Sequence, residues 1–236
     1  MPTVANSQAR PRIAVIGRFA EQTSALRYRA LVNARTLLEA VWAAGGDPVT
    51  LLPIAGANWA ERLEGFGGVL MPGGGDIDPA RFGVRDRAEN VYGVVELQDA
   101  ADFECAEYAL AVGIPMLAIC RGLHVVNAVR GGTLVQDLPV HHRHVVHEIT
   151  IERRFELFGL SAPVAAASCY HHQGIDVAGE GVDIVGRAAD GVPEAAVIDG
   201  KGWAVGVQWH PEDTAALDPE QAAIFEELVR RARARS

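Results

Sequence analysis

Cys120 stands at a junction between two hydrophobic patterns of different period. Residues 115–119 (PMLAI) form an apolar run typical of a buried strand, and after Gly122 the apolar residues fall at helical spacing. A cysteine on such a corner is lifted out of the sheet and meets the unpaired N–H groups that begin the helix, which stabilise a thiolate. The pattern indicates a nucleophile, with a buried inert cysteine as the commoner alternative.

A histidine that can serve as the base lies near the other end of the chain. In residues 205–212 (VGVQWHPE), His210 comes just after an apolar strand segment and Glu212 follows two residues later. Residues i and i+2 of an extended chain project to the same side, so Glu212 can hold one imidazole nitrogen while the other faces Cys120. The alternative is a histidine that caps a strand beside a surface glutamate.

A glycine run supplies the third element of this chemistry. Residues 72–75 (PGGG) follow an apolar strand segment, and backbone without side chains can aim N–H groups at a developing oxyanion. Glycine-rich turns after strands are also common without any function. The run does not match GxGxxG and no P-loop lysine follows it, which disfavours phosphate binding.

Strands that alternate with helices must position these groups. Predicted strands cover 13–17, 49–52, 68–71 and 115–119, and predicted helices cover 24–44, 59–66 and 96–112. This alternation indicates parallel βαβ units. From residue 145 the chain changes to short β-prone segments and closes with an amphipathic helix over 219–235. We expect Asp99, Asp102 and Glu104 to form a solvated face of the helix over 96–112.

Composition excludes several classes of protein. The formal charge of −9 argues against a nucleic-acid-binding protein, and no apolar run approaches the roughly 20 residues of a membrane helix. The chain begins without the pattern of a secretion signal, and Cys105, Cys120 and Cys169 do not form a disulfide framework, so we expect a cytoplasmic protein. We predict a flexible tail over residues 1–11 and a single domain over 12–236.

The histidine-rich segment 141–147 (HHRHVVH) raises the question of a metal site. Four histidines within seven residues can supply ligands, but no nearby cysteine or carboxylate completes an obvious set. We therefore predict a polar connection entering a strand, and no metal or other cofactor.

Five segments occur in an order and spacing that resemble one family. They are 71–79 (MPGGGDIDP), 118–123 (AICRGL), 131–138 (GGTLVQDL), 170–175 (YHHQGI) and 207–212 (VQWHPE). Together they resemble the class I glutamine amidotransferase-like proteins and, within them, the γ-glutamyl-γ-aminobutyrate hydrolases of peptidase family C26.

The resemblance implies a fold and a set of catalytic residues. The fold is α/β, a flavodoxin-like, doubly wound, mostly parallel sheet with helices on both faces and a small antiparallel β addition. The implied catalytic triad is Cys120, His210 and Glu212, and the implied oxyanion hole consists of the backbone N–H groups of Gly74, Gly75 and Arg121.

The resemblance also implies a loop that receives the glutamyl group of the substrate. The substrate-binding residues predicted from it are His124, Cys169, Tyr170, His171, His172 and Gln173. His124 departs from the family, because relatives usually have a glutamine there that helps bind the glutamate part. The different shape and pH dependence of a histidine put strict γ-glutamyl selectivity in question.

Three functions are compatible with these residues. The first is a hydrolase that cleaves small γ-glutamyl amines, such as γ-glutamyl-γ-aminobutyrate or the γ-glutamyl polyamines of polyamine catabolism, through a thioester. Arg121 after the nucleophile and the lack of a synthase domain in the chain favour it. The second is a glutaminase subunit that delivers ammonia to a separate synthase, and the third is a binding protein with reduced catalysis. The expected partner is a small γ-glutamyl substrate rather than nucleic acid or membrane, and a homodimer is one candidate assembly.

Overall fold

A computed structural model describes residues 9–235 of the chain, and within them strands alternate with helices as far as Val129. The strands are β1 (Arg12–Ile16), β2 (Arg18–Ala20), β3 (Ala30–Val32), β4 (Asp47–Leu51), β5 (Gly68–Met71), β6 (Met116–Ile119), β7 (Leu134–Val135), β8 (His142–Ile151), β9 (Val164–His171), β10 (Gly174–Ile175), β11 (Val182–Arg187), β12 (Pro193–Ile198) and β13 (Ala204–Val207). The helices are α1 (Arg35–Ala43), α2 (Trp59–Arg62), α3 (Glu96–Val112), α4 (Arg121–Val129) and α5 (Pro219–Arg235). Short 3₁₀ turns lie at Pro79–Phe82, Phe155–Phe158 and Pro211–Asp213.

One half of the central sheet is parallel. Across the described residues this sheet has nine strands in the order β4-β1-β5-β6-β13-β12-β11-β8-β9, and the pairs from β4 to β13 are parallel. All residues of β5, β6 and β13 are buried, as expected for strands covered on both faces. Because these strands are parallel, their carboxyl ends meet at one edge, where the glycine run, Cys120 and His210 follow them.

The other half of the sheet is antiparallel and contains four strands. β12 pairs with β13 and β11, and β9 pairs with β8 along its length. β11, by contrast, reaches β8 only at Thr150 and Ile151. The end of β8 near His142 therefore has no sheet neighbour on the β11 side within the described part of the chain.

Helices cover both faces of the sheet and create two core layers. α2, α3 and α4 bury Trp59, Ala106 and Leu123 on one face. α1 and α5 bury Leu37 and Phe225 on the other. This is the doubly wound arrangement with helices on both faces that the sequence predicted.

The predicted helix over 24–44 is wrong in its first half. α1 begins only at Arg35, and Ala30–Val32 instead pairs with Arg18–Ala20 in a small antiparallel hairpin. Leu26 is 61% exposed, whereas Leu37 is buried in the core. Leu31 packs against Gly17, where a side-chain Cβ would lie 2.5 Å from the Leu31 Cδ1 atom. This tertiary contact outweighs the weak helical periodicity of the segment.

The ends of the chain are described in part. Residues 1–8 of the predicted flexible tail, and Ser236, lie outside the described residues. Arg10 Nη1 donates hydrogen bonds to the carbonyl oxygens of Trp42 (2.6 Å) and Gly46 (3.1 Å).

Across residues 9–235, no helix combines the length and the apolar character that a bilayer crossing requires.

Candidate active site

Cys120 occupies the sharp corner between β6 and α4. Its backbone has φ 49° and ψ −108°, a left-handed region that costs a non-glycine residue about 1–3 kcal/mol. The Cys120 amide donates to the Val207 carbonyl (2.8 Å), which ties the corner to β13. A Cβ at Gly122 would lie 2.2 Å from the Met71 carbonyl oxygen, so only glycine lets α4 approach β5 this closely.

His210 and Glu212 lie at the end of β13, beside this corner. His210 Nδ1 lies 2.8 Å from Glu212 Oε1, and Glu212 is almost fully buried. Burial alone would lower the pKa of His210, but the negative charges of Cys120 and Glu212 outweigh it and raise the pKa to about 11. The Nε2 atom is buried, and the interaction with Cys120 that contributes to the raised pKa includes a side-chain hydrogen bond.

The glycine run closes the site and is held by Arg18. Arg18 Nε donates to the Gly73 carbonyl (2.9 Å), and Nη2 donates to the Pro72 carbonyl (2.6 Å). The C=O and N–H of a trans peptide point in opposite directions, so the Gly74 N–H points away from Arg18. A Cβ at Gly73 would lie 2.7 Å from His210 Cε1, which shows how closely this loop approaches the imidazole.

The Arg121 side chain anchors the corner in a buried ion-pair network. Its guanidinium pairs with Asp102 and with Asp99 (2.6 Å), and Asp102 also accepts from Arg18 Nη1 (2.6 Å). The expectation of a solvated face is therefore wrong for Asp99 and Asp102, which are fully buried. The buried Arg121 and the half-buried Arg18 require these charges. The helix sequence alone does not predict these partners, because both arginines are distant along the chain.

A narrow cavity opens directly onto Cys120. Its lining includes Gly74, Arg121 and His124 among the predicted site residues, together with residues 170–173. Asp76 and Tyr92 also line it and were not predicted, although Asp76 belongs to the conspicuous segment 71–79. Gly75, by contrast, packs against Gly93, where an added Cβ would lie 2.6 Å from the carbonyl oxygen. The geometry thus favours Gly74 over Gly75 as a donor into the cavity.

His124 is linked to Cys120 through the side chain of Gln208. Its Nε2 atom lies 2.8 Å from Gln208 Oε1, and Gln208 Nε2 donates to Cys120 Sγ (3.7 Å). Burial lowers the pKa of His124 to about 3, so the ring is neutral and its N–H donates to the amide oxygen. This contact orients the Gln208 amide toward the sulfur, a role that the sequence did not assign to Gln208.

The predicted substrate loop has several distinct environments. The two ring nitrogens of His172 lie 3.1 Å from Asp76 and 3.1 Å from Asp137, so the ring bridges two carboxylates. Gln173 Oε1 is buried without a hydrogen-bond partner in residues 9–235. Tyr170 is partly exposed at the mouth of the cavity.

Cys169 and His171 differ from the rest of this loop. The His171 Nδ1 atom lies 2.9 Å from the Gln173 carbonyl oxygen. The Cys169 sulfur lies 3.2 Å from His147 Nε2, in a separate cluster of side chains rather than at Cys120. His171 lines the Cys120 cavity, whereas Cys169 does not.

A wider cleft of about 410 Å³ lies on the His210 side of the site. It is lined by Arg18, His144, Tyr170 and Asp213, as well as His210 itself. Tyr170 and the glycine run border both compartments. The Cys120 cavity and the cleft therefore adjoin each other at Tyr170 and the glycine run.

The other two thiols are poor nucleophiles. Burial raises the pKa of Cys105 well above its usual range, and burial together with the Glu194 charge does the same for Cys169. Cys120 alone among the three free cysteines stands at a helix N-terminus beside a histidine.

Comparison with known proteins places this site in a family context. The family model of Peptidase C26 matches residues 11–212. A candidate glutamine amidotransferase of Mycobacterium tuberculosis is 35% identical over 206 residues, which cover 81% of this chain and 64% of that protein. The chain thus spans less than two thirds of that relative's length.

Two further similarities agree with the family and the fold. The γ-glutamyl-γ-aminobutyrate hydrolase PuuD of Escherichia coli is 28% identical over 214 residues, covering 81% of this chain and 83% of the relative. A crystal structure from Thermoplasma acidophilum, of a protein described as a candidate GMP synthase subunit, superposes with a TM-score of 0.67. It is 13% identical and covers 95% of both chains, so it supports the flavodoxin-like fold alone.

Proposed function

Because the chain belongs to the peptidase C26 family, we propose that it is a cysteine-dependent hydrolase of γ-glutamyl amides. The observation that carries this proposal is the cavity at Cys120, which lies at a strained corner beside the hydrogen-bonded pair His210–Glu212. The small γ-glutamyl amines, γ-glutamyl-γ-aminobutyrate and γ-glutamyl polyamines, are the proposed substrates. The relative PuuD, whose name states the first of these activities, supports that choice.

Acyl transfer to Cys120 is the first step. The Cys120 sulfur attacks the γ-carbonyl carbon, and His210, which has taken the thiol proton, passes it to the leaving amine as the C–N bond breaks. Glu212 keeps the imidazolium oriented and stabilises its charge. Water then attacks the thioester, His210 accepts a proton from that water, and glutamate leaves as the thiol is restored.

The oxyanion of each tetrahedral intermediate requires hydrogen-bond donors. The backbone N–H groups of Gly74 and Arg121 are the proposed donors, with Gly75 as the less favourable one because it packs against Gly93. The ion pairs of Arg121 with Asp99 and Asp102 support the corner from behind, and Arg18 supports the glycine run.

The two compartments suit the two halves of a γ-glutamyl amide. The narrow cavity, of about 10 Å³, must widen to receive the glutamyl head, and we assign the head to it because the buried Gln173 Oε1 and the Asp76 carboxylate can accept from an α-ammonium group. His124, Tyr170, His171 and His172 line the same cavity. The leaving amine then occupies the wider cleft beside His210.

Glutamate release by the purified protein tests this function. We expect release from γ-glutamyl-γ-aminobutyrate and γ-glutamyl polyamines without any added protein. The Cys120→Ala variant should lower the rate by about 10³-fold or more, because the residual site lacks a nucleophile. Cys105→Ala, which alters a core thiol in α3, is the matched control and should retain turnover. Equal rates in Cys120→Ala and the unaltered protein would refute the mechanism.

A glutamine arm of the same assay tests the second candidate function. The name of the Mycobacterium relative favours a glutaminase that delivers ammonia to a synthase. For that function glutamine would be the best substrate in the panel and the γ-glutamyl amines would be poor. For the proposed hydrolase the order is reversed.

A further inference from the structure

A second group of chemically competent side chains lies in the antiparallel half of the sheet. It consists of His142, His147, Cys169 and Glu194, which we call the β8–β12 cluster. One donor atom from each residue lies within 4.8 Å of the other three. His142, Cys169 and Glu194 are buried, and His147 is half-buried. The proposed hydrolysis uses none of these four side chains.

The spacing of the donor atoms is close to that of a tetrahedral metal site. His142 Nδ1 lies 3.0 Å from Glu194 Oε1, and Cys169 Sγ lies 3.2 Å from His147 Nε2. Zinc bonds of about 2.0–2.3 Å at tetrahedral angles hold neighbouring donor atoms about 3.3–3.8 Å apart. These two pairs need to separate by a few tenths of an ångström, and donor pairs as far apart as 4.8 Å need to approach by about 1 Å, to admit the ion.

Glu194 supplies an independent indication of a missing partner. The residue is 0% exposed, and its Oε2 atom has no hydrogen-bond partner among residues 9–235. A buried carboxylate oxygen without a partner is costly, and a bound cation removes that cost.

His142 also has the outer contact that metal-binding histidines usually make. Its Nε2 atom lies 2.8 Å from Asp190 Oδ2, while Nδ1 on the other side of the ring faces Glu194. A carboxylate on the distal nitrogen is the outer contact expected for a metal-bound histidine, and a metal at Nδ1 would replace the proton that Nδ1 now shares with Glu194 Oε1.

The sheet topology explains why these residues converge. β11 covers only the far end of β8, so the end that carries His142 and His147 faces an opening in the sheet. Glu194 reaches this opening from β12, and Cys169 reaches it from β9. The four ligands thus come from three strands, and no backbone ladder joins β12 to the other two at this level within residues 9–235.

We propose that the β8–β12 cluster binds one Zn²⁺ and thereby ties β8, β9 and β12 together. Two imidazoles, a thiolate and a carboxylate are ligands that zinc accepts, whereas the thiolate disfavours Mg²⁺ and Ca²⁺. Four protein donors close the coordination sphere, which makes the site structural. The sequence argued against a metal because no cysteine or carboxylate lies near the histidines along the chain, and the fold supplies both.

The site has a consequence for the Cys120 cavity. Cys169 directly precedes Tyr170 and His171, which line that cavity, and His171 Nε2 lies 3.3 Å from Glu194 Oε1. Zinc at the β8–β12 cluster would therefore hold this wall of the cavity in place.

Metal content of the full chain tests the proposal independently of hydrolysis. The Cys120→Ala background excludes a contribution from the nucleophile. Protein stripped with a chelator, incubated with ZnCl₂ and gel-filtered should retain about one zinc per chain by mass spectrometry. Adding Cys169→Ser or His147→Ala should lower retention at least about 10-fold. His141→Ala, which alters an exposed histidine of the same segment, should retain the metal.

Cobalt(II) provides a second readout that does not depend on zinc affinity. The cobalt-loaded protein should show a thiolate-to-metal absorption band in the near ultraviolet that Cys169→Ser abolishes. Absence of retained zinc in the stripped and reloaded protein, or equal retention in the Cys169→Ser and His141→Ala variants, would overturn the proposal. Loss of zinc only in His141→Ala would also overturn it, since that residue belongs to a different group with Asp137 and His172.

Discussion

At the scale of single residues, the environment of Cys120 separates it from the other two thiols. The positive φ angle aims its side chain into a cavity, and Gln208 Nε2 donates to its sulfur. His124 orients that amide, and it does so as a neutral ring whose pKa burial lowers to about 3. His124 therefore has a specific contact, and its neutral state persists across the physiological pH range.

In the proposed mechanism, Glu212 helps to set the alkaline limit of activity. Its charge, together with that of Cys120, raises the pKa of His210, so the imidazolium that protonates the leaving amine persists to high pH. In Glu212→Gln one of these charges is removed, and the alkaline limb of the kcat/KM profile should move to lower pH by about 1 unit. Glu107→Gln is the control, because Glu107 is an exposed carboxylate on α3 outside both compartments, and the alkaline limb of that variant should stay in place. An unmoved limb in Glu212→Gln would contradict the assignment of Glu212.

At the scale of elements, a buried ion-pair network joins α3, α4 and the glycine run. Asp102 receives both Arg121 and Arg18, and Arg18 in turn holds the carbonyls of Pro72 and Gly73. Burial lowers the pKa of Arg18 to about 10, yet the neighbouring carboxylates keep the side chain charged at neutral pH. The network thus links the backbone that follows β5 to the corner that follows β6.

Removal of one charge from this network should destabilise the whole domain. Asp102→Asn removes the carboxylate that Arg18 and Arg121 share and leaves Arg121 paired with Asp99, and the free energy of unfolding in urea should fall by about 3 kcal/mol. Glu107→Gln, an exposed carboxylate on the same helix, should change it by less than about 0.5 kcal/mol. Similar values for both variants would show that the network does not stabilise the fold.

At the scale of the whole molecule, the parallel and antiparallel halves of the sheet contribute different residues to the two sites. The parallel half brings the ends of β5, β6 and β13 together and so assembles the site. The antiparallel half supplies β9, whose end lines the Cys120 cavity and whose Cys169 belongs to the β8–β12 cluster. The opening between β8 and β11 lies on this second half.

The reactivity of the three cysteine thiols tests their described environments. In the native protein, iodoacetamide should label Cys120 alone. Cys105 and Cys169 are 0% and 1% exposed and their pKa values are raised, whereas Cys120 is 6% exposed and lines a cavity. In urea all three free cysteines should react. Intact-mass spectrometry measures the number of labels, with Cys120→Ala as the control that should remain unlabelled under native conditions. Comparable native labelling of a second cysteine would contradict the described burial.

The sequence by itself determined the α/β class and the buried strands, because apolar runs and their period are read from neighbouring residues. Local patterns made Cys120, His210 and Glu212 candidates with inert alternatives, and only the order and spacing of five segments along the chain indicated a triad. The same patterns extended α1 too far and placed Asp99 and Asp102 in solvent. Only the tertiary structure decided the partners of Asp102, the contact of His124 with Gln208 and the approach of Cys169 and Glu194 to the histidines of β8. These contacts join residues from separate strands and helices, and their energies depend on burial that no short stretch of chain can produce alone.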